Sequence, residues 1–413
     1  MSFSFELTKT AQQAQQASQV LLDIGAQGRS QLLQQLAIRV AQYKDDILDA
    51  NTLDLEASRE MAVPSLMLDW LRLTPERVQS VAQMLQAIAT QPDPLQQGTS
   101  IACSNQNAQC CYAQSMPLGV IGLVYESFPD LGAIATGLCI KAGNALLLKG
   151  GAESSHSNRM IANIIYDVLD QTEGQPNCVH LLPADQSDVT RELLTLRSHI
   201  KLLIPYGRPG LIQRVIKNAT VPVLQTAISN CYLYCSDSAA TDIASHMIID
   251  SYQSEPDAVN AIEKLIFHKS CSTASITKLI ATLQKADYRI KIAPELRSQF
   301  TQFPVAQTEE WSHPLLNFSV LLKPVNDISE AIVWINQHSS GHSNCISTSS
   351  YQEGRLFEKN VMSDMVYINT SPKFERHPQC GEVALGIARH SRGWGGGPIG
   401  FRQLTYRKLI THG

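Results

Sequence analysis

Short apolar runs alternate with helical stretches from about residue 117 onward. The runs are apolar throughout and do not alternate with polar residues. They are Val120–Tyr125, Ala145–Leu148, Val179–Leu182, Leu202–Pro205 and Val221–Leu224. Stretches with helical spacing, Leu131–Lys141 and Arg159–Leu169, lie between some of them. Strands of this kind, separated by helices, predict a parallel sheet that is covered on both faces.

A second alternation of strand and helix begins near Asn260. Its apolar runs are Leu265–His268, Phe318–Leu322 and Val366–Asn369. A chain of 413 residues is also too long for a single hydrophobic core. We therefore expect two doubly wound α/β domains, with Tyr252–Asn260 as the hinge between them.

The first hundred residues are predicted to be helical, because apolar side chains recur there at helical spacing. One such face comprises Leu7, Ala11, Ala14, Ser18 and Leu21, and another comprises Leu32, Leu33, Leu36, Val40 and Tyr43. Gly25 and Gly28 are expected to separate the first helix from the second. Gln109–Gln114 and Gln403–Ile410 alternate weakly and could be strands outside both sheets.

Composition excludes several classes of partner. A net charge of -4 and a pI near 6.3 provide no basic surface for nucleic acid or acidic lipid. No apolar run approaches the roughly 18 residues that would span a bilayer, and the first residues do not resemble a secretory signal. The 10 cysteines form no Cys-x-x-Cys pair, which argues against structural zinc. These features favour a soluble, cytoplasmic protein.

Ligands of doubly wound sheets bind outside the carboxyl ends of the strands. The segment Gly143–Gly151 joins a helix end, a buried strand and a glycine turn. Lys149 follows that strand directly, so its ammonium group could meet a ribose or a phosphate in the crevice. A solvated lysine in a structural turn is an equal alternative. The chain carries neither a Gly-x-Gly-x-x-Gly motif nor a Walker A motif.

Two further segments are candidates on weaker grounds. Pro205–Gly210 follows a strand and opens a helix, where backbone amides at Gly207 and Gly210 could meet a phosphate. The two glycines could equally be turn residues. His377, Cys380 and His390 lie close together in sequence, but they lack carboxylate partners at ligand spacing, so no metal site is predicted.

Several of these segments together resemble the gamma-glutamyl phosphate reductases, which are members of the aldehyde dehydrogenase superfamily. The resemblance runs in order along nearly the whole chain. It is carried by Met116–Gly122, Tyr125–Ser127, Gly143–Gly151, His156–Asn158, Thr220–Val223, Asn230–Cys231, Asn260–Glu263, Val366–Asn369, Pro398–Gly400 and Leu404–Lys408.

The resemblance implies a fold with a cofactor domain, a catalytic domain and a small β oligomerisation arm. Residues 1–100 and 115–252 would form the nucleotide-binding domain, and 253–398 the catalytic-type domain. Residues 101–114 and 399–413 would form the arm, which implies a homo-oligomer. Enzymes of this family reduce L-glutamyl 5-phosphate to the semialdehyde with NADPH, in proline synthesis.

The resemblance also assigns roles to particular residues. Lys149 and Glu153 match the lysine and glutamate that serve the adenosine-ribose side of the nucleotide. Glu382 is expected on the cofactor side with Gly207 and Gly210. The residues expected on the substrate side are Ser127, Asn260 and Asn369.

The family reaction needs a cysteine thiolate, which displaces phosphate to form a thioester that is then reduced. The family places this cysteine in the segment Gln-Arg-Pro-Gly-Val-Cys-Asn-Ala. Here the segment reads Gln253-Ser254-Glu255-Pro256-Asp257-Ala258-Val259-Asn260-Ala261. Counting back from Asn260 puts Val259 at the cysteine position, so the family nucleophile is predicted to be missing.

Other departures lie on the same side of the expected site. The arginine of the family segment Tyr-Glu-Ser-Arg-Pro is replaced by Phe128, which removes a cation. The hinge arginine is replaced by Ser254 and Glu255, and a family glutamate is replaced by Gln225. The loop from Glu382 onward keeps only the glutamate and a Leu-Gly pair.

Three functional hypotheses follow. The first is a catalytically impaired relative that acts by association with proline-pathway enzymes, such as a genuine reductase or a glutamate 5-kinase. The second is a working oxidoreductase, in which Cys380 supplies a replacement thiol or hydride passes directly to a carbonyl or imine; Ser251 and Ser254 are weaker nucleophile candidates. The third is a nucleotide sensor that holds NADP through Lys149 and Glu153 without chemistry.

Overall fold

The computed structural model describes residues 2–96, 98–100, 110–171, 176–253, 256–379, 381–391 and 395–412. The chain forms two compact units. The first unit comprises Met1–Gln225, His377–Leu385 and Ile399–Gly413, and the second comprises Thr226–Arg376 and Gly386–Pro398.

The described α-helices account for most of the first hundred residues, as predicted, and recur between the strands. They are α1 (Ser2–Asp23), α2 (Gly25–Gln42), α3 (Lys44–Glu60), α4 (Ser65–Leu71), α5 (Pro75–Thr90), α6 (Asp130–Lys141), α7 (Ser155–Gln171), α8 (Ser187–Thr195), α9 (Pro209–Asn218), α10 (Thr241–Ser251), α11 (Thr273–Lys285), α12 (Ile328–His338), α13 (Tyr351–Asn360) and α14 (Phe401–Leu404).

The described strands form two larger parallel sheets, a small antiparallel sheet and a two-stranded pair. They are β1 (Gly98–Ser100), β2 (Cys110–Pro117), β3 (Val120–Tyr125), β4 (Ala145–Lys149), β5 (Val179–Leu181), β6 (Ile200–Tyr206), β7 (Cys231–Cys235), β8 (Ile262–His268), β9 (Arg289–Ile292), β10 (Ser319–Val325), β11 (Ser343–Ser347), β12 (Met365–Ile368), β13 (Ile387–Ala388), β14 (Gly397–Pro398) and β15 (Thr405–His412).

The apolar faces of the amino-terminal helices are buried, including Leu7, Ala14 and Leu21 of α1. A glycine separates α1 from α2, because Gly25 has a φ of 68°, a conformation that other residues adopt only with strain. Gly28 lies inside α2 rather than at the break, so only one of the two glycines acts as the sequence predicted.

The sheet of the first unit is parallel, in the order β5-β4-β3-β6. Strand β3 is buried along its whole length, as its apolar sequence requires. The prediction of a strand over Val221–Leu224 was wrong. That segment makes only an isolated bridge between Val223 and Leu203, and Pro222 has no N–H with which to continue a ladder.

A small antiparallel sheet in the first unit has the order β1-β2-β15. Strand β15 pairs with β2 from Thr405 opposite Pro117 to His412 opposite Cys110. The sequence predicted a tail strand from Gln403. The observed strand begins two residues later, at Thr405, because Gln403 and Leu404 belong to α14. Residues 101–109, which the sequence assigned to the oligomerisation arm, lie outside the described residues.

The second unit contains a parallel sheet in the order β12-β11-β7-β8-β10-β9. One apolar core covers one face and includes Met247 of α10 and Leu279 of α11. A second core includes Ile332 of α12 and Phe357 of α13. Separate apolar clusters against one sheet are the doubly wound arrangement that the sequence predicted.

The predicted hinge at Tyr252–Asn260 lies within the second unit, where it connects α10 to β8. Strand β7 pairs with both β8 and β11, so the boundary between the compact units follows Gln225 rather than Tyr252. Strand β7 reads Cys-Tyr-Leu-Tyr-Cys and is too short to be assigned to either sheet by its own periodicity. Strands β9 and β11 escaped prediction for the same reason, and because they are interrupted by polar residues.

Within the part of the chain that the structure describes, no helix is long and apolar enough to cross a membrane. Among those same residues, no group of three or more histidine, cysteine, aspartate or glutamate side chains is placed to hold a metal ion.

Candidate functional site

A cavity of about 760 Å³ lies in the first unit, at the carboxyl ends of β3 and β4. The glycine turn after β4, which the sequence singled out, borders the cavity together with the loop after β3. Helices α8 and α9 provide the opposite wall. The cavity is therefore at the end of the parallel sheet where such folds bind ligands.

Lys149 lines this cavity but is not a solvated lysine. Its side chain is almost fully buried, and its Nζ atom donates to the carbonyl oxygen of Ala184 over 2.9 Å. Burial lowers the pKa of Lys149, while nearby Asp185 and Glu153 oppose that effect. The ammonium group is thus held in one place beside the cavity.

Glu153 lines the same cavity and is oriented by Ser127. The Ser127 N–H donates to Glu153 Oε1 over 2.7 Å, and the Ser127 hydroxyl lies 3.2 Å from the same oxygen. Ser127 has a φ of 57°, which points its backbone donor at the carboxylate. A Cβ at Gly151 would lie 2.2 Å from Glu153 Oε1, so a larger residue there would displace the Glu153 carboxylate from this position. The sequence expected Ser127 on the substrate side; the structure places it against Glu153.

A second carboxylate at the cavity, that of Glu126, is neutralised by Arg208. The Arg208 backbone N–H donates to Glu126 Oε1 over 2.6 Å, and the guanidinium forms an ion pair with it at 3.0 Å. Gly207 permits this contact, because it has a φ of 143° and its Cβ would lie 2.4 Å from Glu126 Cγ. Gly207 therefore shapes the turn through Glu126. Gly210 lies in the first turn of α9 and does not line the cavity.

Two arginines that sequence reasoning missed also line the cavity. Arg191 on α8 forms an exposed ion pair with Asp188 at 3.4 Å. Arg214 on α9 forms no ion pair among the described residues. Its position one helical turn after Gly210 is the signal that could have identified it. With Lys149, these side chains make the cavity suitable for an anionic group.

Phe128 occupies an aromatic core rather than a binding surface. It is fully buried, stacks on Trp70 with ring centroids 4.8 Å apart, and meets Tyr206 edge-on at 5.4 Å. A cation at this position would be buried without contact with solvent. The aromatic packing around Phe128 therefore suits an apolar side chain and not the arginine of the family segment.

Val259 lies in the loop that precedes β8, in the second unit, and its side chain is fully buried. The Ser229 N–H donates to the Val259 carbonyl over 2.7 Å, and His342 Nε2 lies 3.0 Å from the same oxygen. A carbonyl oxygen only accepts, so His342 carries its proton on Nε2. Burial lowers the pKa of His342 to about 4.

Cys231 is a thiol beside this loop, with its Sγ atom 3.4 Å from His342 Nε2. It is fully buried. Burial, together with the negative charge of Glu263, raises the pKa of the Cys231 thiol well above its usual range. The thiol is therefore held in its unreactive protonated form.

A fully buried ion pair begins the same loop. Arg376 donates to both carboxylate oxygens of Asp257, over 2.8 and 2.7 Å. Both side chains are completely shielded from solvent. Asp257 is two residues before Val259, and no motif in the chain indicates that Arg376 contacts it.

The remaining predicted residues are dispersed. Asn260 is buried and donates to the Pro372 carbonyl over 2.8 Å. Asn369 is exposed and bonds both backbone polar groups of Thr348, at 2.8 and 2.7 Å. Glu382 is exposed and does not line the cavity at Lys149. Cys380 lies outside the described residues, as do Ser254 and Glu255.

Comparison with known proteins identifies one protein family and several named relatives of one enzyme type. The sequence model of the aldehyde dehydrogenase family matches residues 4–313. Gamma-glutamyl phosphate reductase 2 of Synechocystis sp. is 39% identical over 409 residues, which covers 98% of this chain and 97% of that protein. Gamma-glutamyl phosphate reductase of Gloeobacter violaceus is 32% identical over 411 residues, with 98% and 97% covered.

The solved structures agree. The crystal structure of gamma-glutamyl phosphate reductase from Thermotoga maritima superimposes with a TM-score of 0.90 at 29% identity, covering 99% of this chain and 98% of that one. An aldehyde dehydrogenase from Listeria monocytogenes shares the fold, with a TM-score of 0.73 at 13% identity. The predicted α/β fold class is confirmed.

Proposed function

Because this chain belongs to the aldehyde dehydrogenase family, and within it to the gamma-glutamyl phosphate reductases, we propose that it binds NADPH but lacks the family's thiol-dependent reductase activity. The observation that carries the proposal is the contrast between two places in the molecule. The cavity at Lys149 has the charges that a nucleotide requires, whereas the loop before β8 presents Val259.

The cavity chemistry fits NADP. A pyridine nucleotide with a 2′-phosphate needs cations for its phosphates, and a carboxylate can accept from a ribose hydroxyl that is not phosphorylated. Lys149, Arg191 and Arg214 supply the first, and Glu153, already oriented by Ser127, supplies the second. NADPH, when bound, supplies a hydride. The chain's own residues bind and orient it.

The missing step is the formation of a thioester. Valine has no nucleophilic atom, so Val259 cannot displace phosphate from an acyl phosphate. The neighbouring Cys231 is buried and held protonated, which makes it a poor substitute. Loss of a covalent nucleophile from a hydrolase lowers turnover by about 10⁶-fold. A loss even approaching that scale leaves no useful reductase activity.

The substrate side has also lost a cation. In the family segment an arginine stands where this chain has Phe128, and Phe128 is packed between Trp70 and Tyr206. An anionic substrate such as glutamyl phosphate therefore loses one of its positive partners together with the thiol.

A fluorescence titration with NADPH, followed by a phosphate-dependent assay of glutamate 5-semialdehyde oxidation, tests the proposal. We expect saturable NADPH binding and no phosphate-dependent turnover. Turnover at an ordinary enzymatic rate would overturn the proposal and would point to a replacement group such as Cys380. Absence of NADPH binding would overturn it as well, and would leave a scaffold role.

We also propose that the chain forms a homo-oligomer through its small antiparallel sheet, as the family resemblance implies. Strand β15 lies at the edge of that sheet, and its side chains are mostly exposed. An exposed edge strand offers unpaired backbone groups to another chain. Leu409 is 62% exposed on it, which favours burial against a partner.

A further inference from the structure

A separate cavity of about 520 Å³ lies wholly within the second unit. It is found beside the carboxyl end of α12 and before the first residues of β11 and β12. Arg389, Asp364 and Ser340 contribute to its wall. None of these residues belongs to the nucleotide cavity or to the sites that the family resemblance assigned.

Arg389 provides an uncompensated positive charge in this cavity. Its side chain is exposed, and no acidic group forms an ion pair with it among the described residues. Its charge acts on the interior, because it helps burial to lower the pKa of His342. An exposed guanidinium without an ionic partner among the described residues is available to a carboxylate ligand.

Asp364 provides a negative charge in the same wall. One of its oxygens accepts the backbone N–H of His390 over 2.6 Å, and its own N–H donates to the Gly341 carbonyl over 3.0 Å. In the part of the chain that the structure describes, no cation is paired with it. The His390 N–H thus holds one carboxylate oxygen. The other oxygen accepts no hydrogen bond from the described residues and keeps accepting capacity for a ligand.

Ser340 adds a hydroxyl whose direction is set by the interior. Its Oγ lies 2.7 Å from Nδ1 of His342. Since Nε2 of His342 donates to the Val259 carbonyl, Nδ1 is an acceptor. The Ser229 carbonyl oxygen, 3.2 Å from the same hydroxyl, is an acceptor as well, so Ser340 donates its one proton to these two atoms and accepts from neither. The lone pairs of the Ser340 oxygen are therefore free to accept from a ligand.

We propose that this cavity binds a free α-amino acid, with its carboxylate on Arg389 and its ammonium on Asp364 and Ser340. An isolated phosphate would be repelled by Asp364, and a simple cation would be repelled by Arg389. An α-amino acid carries an ammonium and a carboxylate on one carbon atom, so it can bind Asp364 and Arg389 at the same time. The inference does not depend on nucleotide binding or on reductase activity.

The bound amino acid is connected to the interior by a short series of hydrogen bonds. Ser340 contacts His342, and His342 contacts the Val259 carbonyl. A ligand ammonium that donates to the Ser340 oxygen therefore acts, through His342, on the loop before β8. This gives the cavity a route by which to influence that loop.

Isothermal titration of the full chain, without NADPH, tests the proposal. L-glutamate, L-glutamine and L-proline serve as probes, with glutarate as the analogue lacking the ammonium and 4-aminobutyrate as the analogue lacking the α-carboxylate. We expect at least one amino acid to bind. We expect glutarate and 4-aminobutyrate to bind roughly tenfold or more weakly than L-glutamate, as loss of a charged hydrogen bond predicts. Failure of all three amino acids to bind would overturn the proposal.

Two substitutions test the roles of Arg389 and Asp364 separately. Arg389→Gln should remove the preference for L-glutamate over 4-aminobutyrate, and Asp364→Asn should remove the preference over glutarate. Asparagine keeps an oxygen for the His390 N–H, so the loop should stay in place. Arg297→Gln is the matched control, since Arg297 is exposed and forms no ion pair among the described residues. Variants that bind like the native chain would contradict the assignment.

Discussion

The carbonyl oxygen of Val259 lies 3.0 Å from Nε2 of His342. Both residues are fully buried, so the loop before β8 is held by a neutral imidazole that solvent does not reach. This hydrogen bond involves the backbone of residue 259 and not its side chain. A different side chain at 259 can therefore be tested without removing the bond that positions the loop.

Introducing a thiol at this position should restore part of the family chemistry. Valine and cysteine are similar in volume, so Val259→Cys should fold. We expect phosphate-dependent oxidation of glutamate 5-semialdehyde at least roughly tenfold faster than in the native chain, because a thioester can then form. The rate of NADPH formation is the measurement.

Val259→Ala is the matched control for that experiment, since it alters packing without adding a nucleophile. Equal rates in the cysteine and alanine variants would show that residue 259 is not at the reacting centre.

Arg214 should discriminate between the two nicotinamide nucleotides. Arg214 lines the cavity and has no ionic partner in the part of the chain that the structure describes. A 2′-phosphate is the group that distinguishes NADPH from NADH. Arg214→Gln is expected to weaken NADPH binding by about tenfold, the size of a charge-assisted hydrogen bond, and to leave NADH binding nearly unchanged.

Lys149→Ala should weaken both nucleotides, because the family resemblance assigns that lysine to the ribose they share. Lys217→Ala, an exposed lysine on the same helix as Arg214, serves as the control. Fluorescence titration of each variant measures nucleotide binding. Equal losses of NADPH affinity in Arg214→Gln, Lys149→Ala and Lys217→Ala would contradict the assignment.

His342 should make the stability of the fold dependent on pH. Its pKa is about 4 in the folded chain and near 6.5 in the unfolded chain. Below pH 6.5 the unfolded state binds a proton that the folded state does not, so stability falls as pH decreases toward 4. The expected loss at the bottom of that range is about 3 kcal/mol.

His342→Gln keeps an N–H donor for Val259 but does not titrate. Urea denaturation at pH 7 and at pH 4.5 should therefore show a smaller loss of unfolding free energy in the variant than in the native chain. An identical loss would show that His342 is not the group responsible.

The buried pair of Asp257 and Arg376 should be sensitive to the removal of one partner. Arg376→Met leaves the buried carboxylate of Asp257 without its bidentate donor, and we expect a loss of about 3–5 kcal/mol in unfolding free energy. The double variant Asp257→Asn with Arg376→Met should recover part of that loss, because no unpaired charge remains. Urea denaturation of the three proteins at neutral pH compares them, and additive losses would contradict this account.

Leu409 should matter for assembly. Leu409→Asp places a charge on the exposed edge strand β15, and we expect the homo-oligomer to dissociate toward the 45.4 kDa chain. Light scattering coupled to size-exclusion chromatography measures the mass. Val333→Asp is the control, because Val333 is an equally exposed apolar residue outside the small sheet. A native chain that is itself monomeric would refute the proposal directly.

Local pattern determined much of the fold. Apolar runs such as Val120–Tyr125 and Ala145–Leu148 are recognisable as buried strands because every residue must face a covered surface. Helical spacing identified α6 and α7, and an ordered set of motifs identified the family. Lys149 could be located because it lies at the end of a buried apolar strand, and the family resemblance added Glu153.

Tertiary structure decided the features that join distant parts of the chain. Strand β7 belongs to the second sheet because it pairs with β8 and β11, and no property of its own five residues reveals that. Arg376 meets Asp257 across 119 positions of sequence, and Arg389 lines one cavity with Asp364 and Ser340. Periodicity and motif spacing report on neighbours along the chain, whereas charges and hydrogen bonds between remote residues depend on how the elements pack.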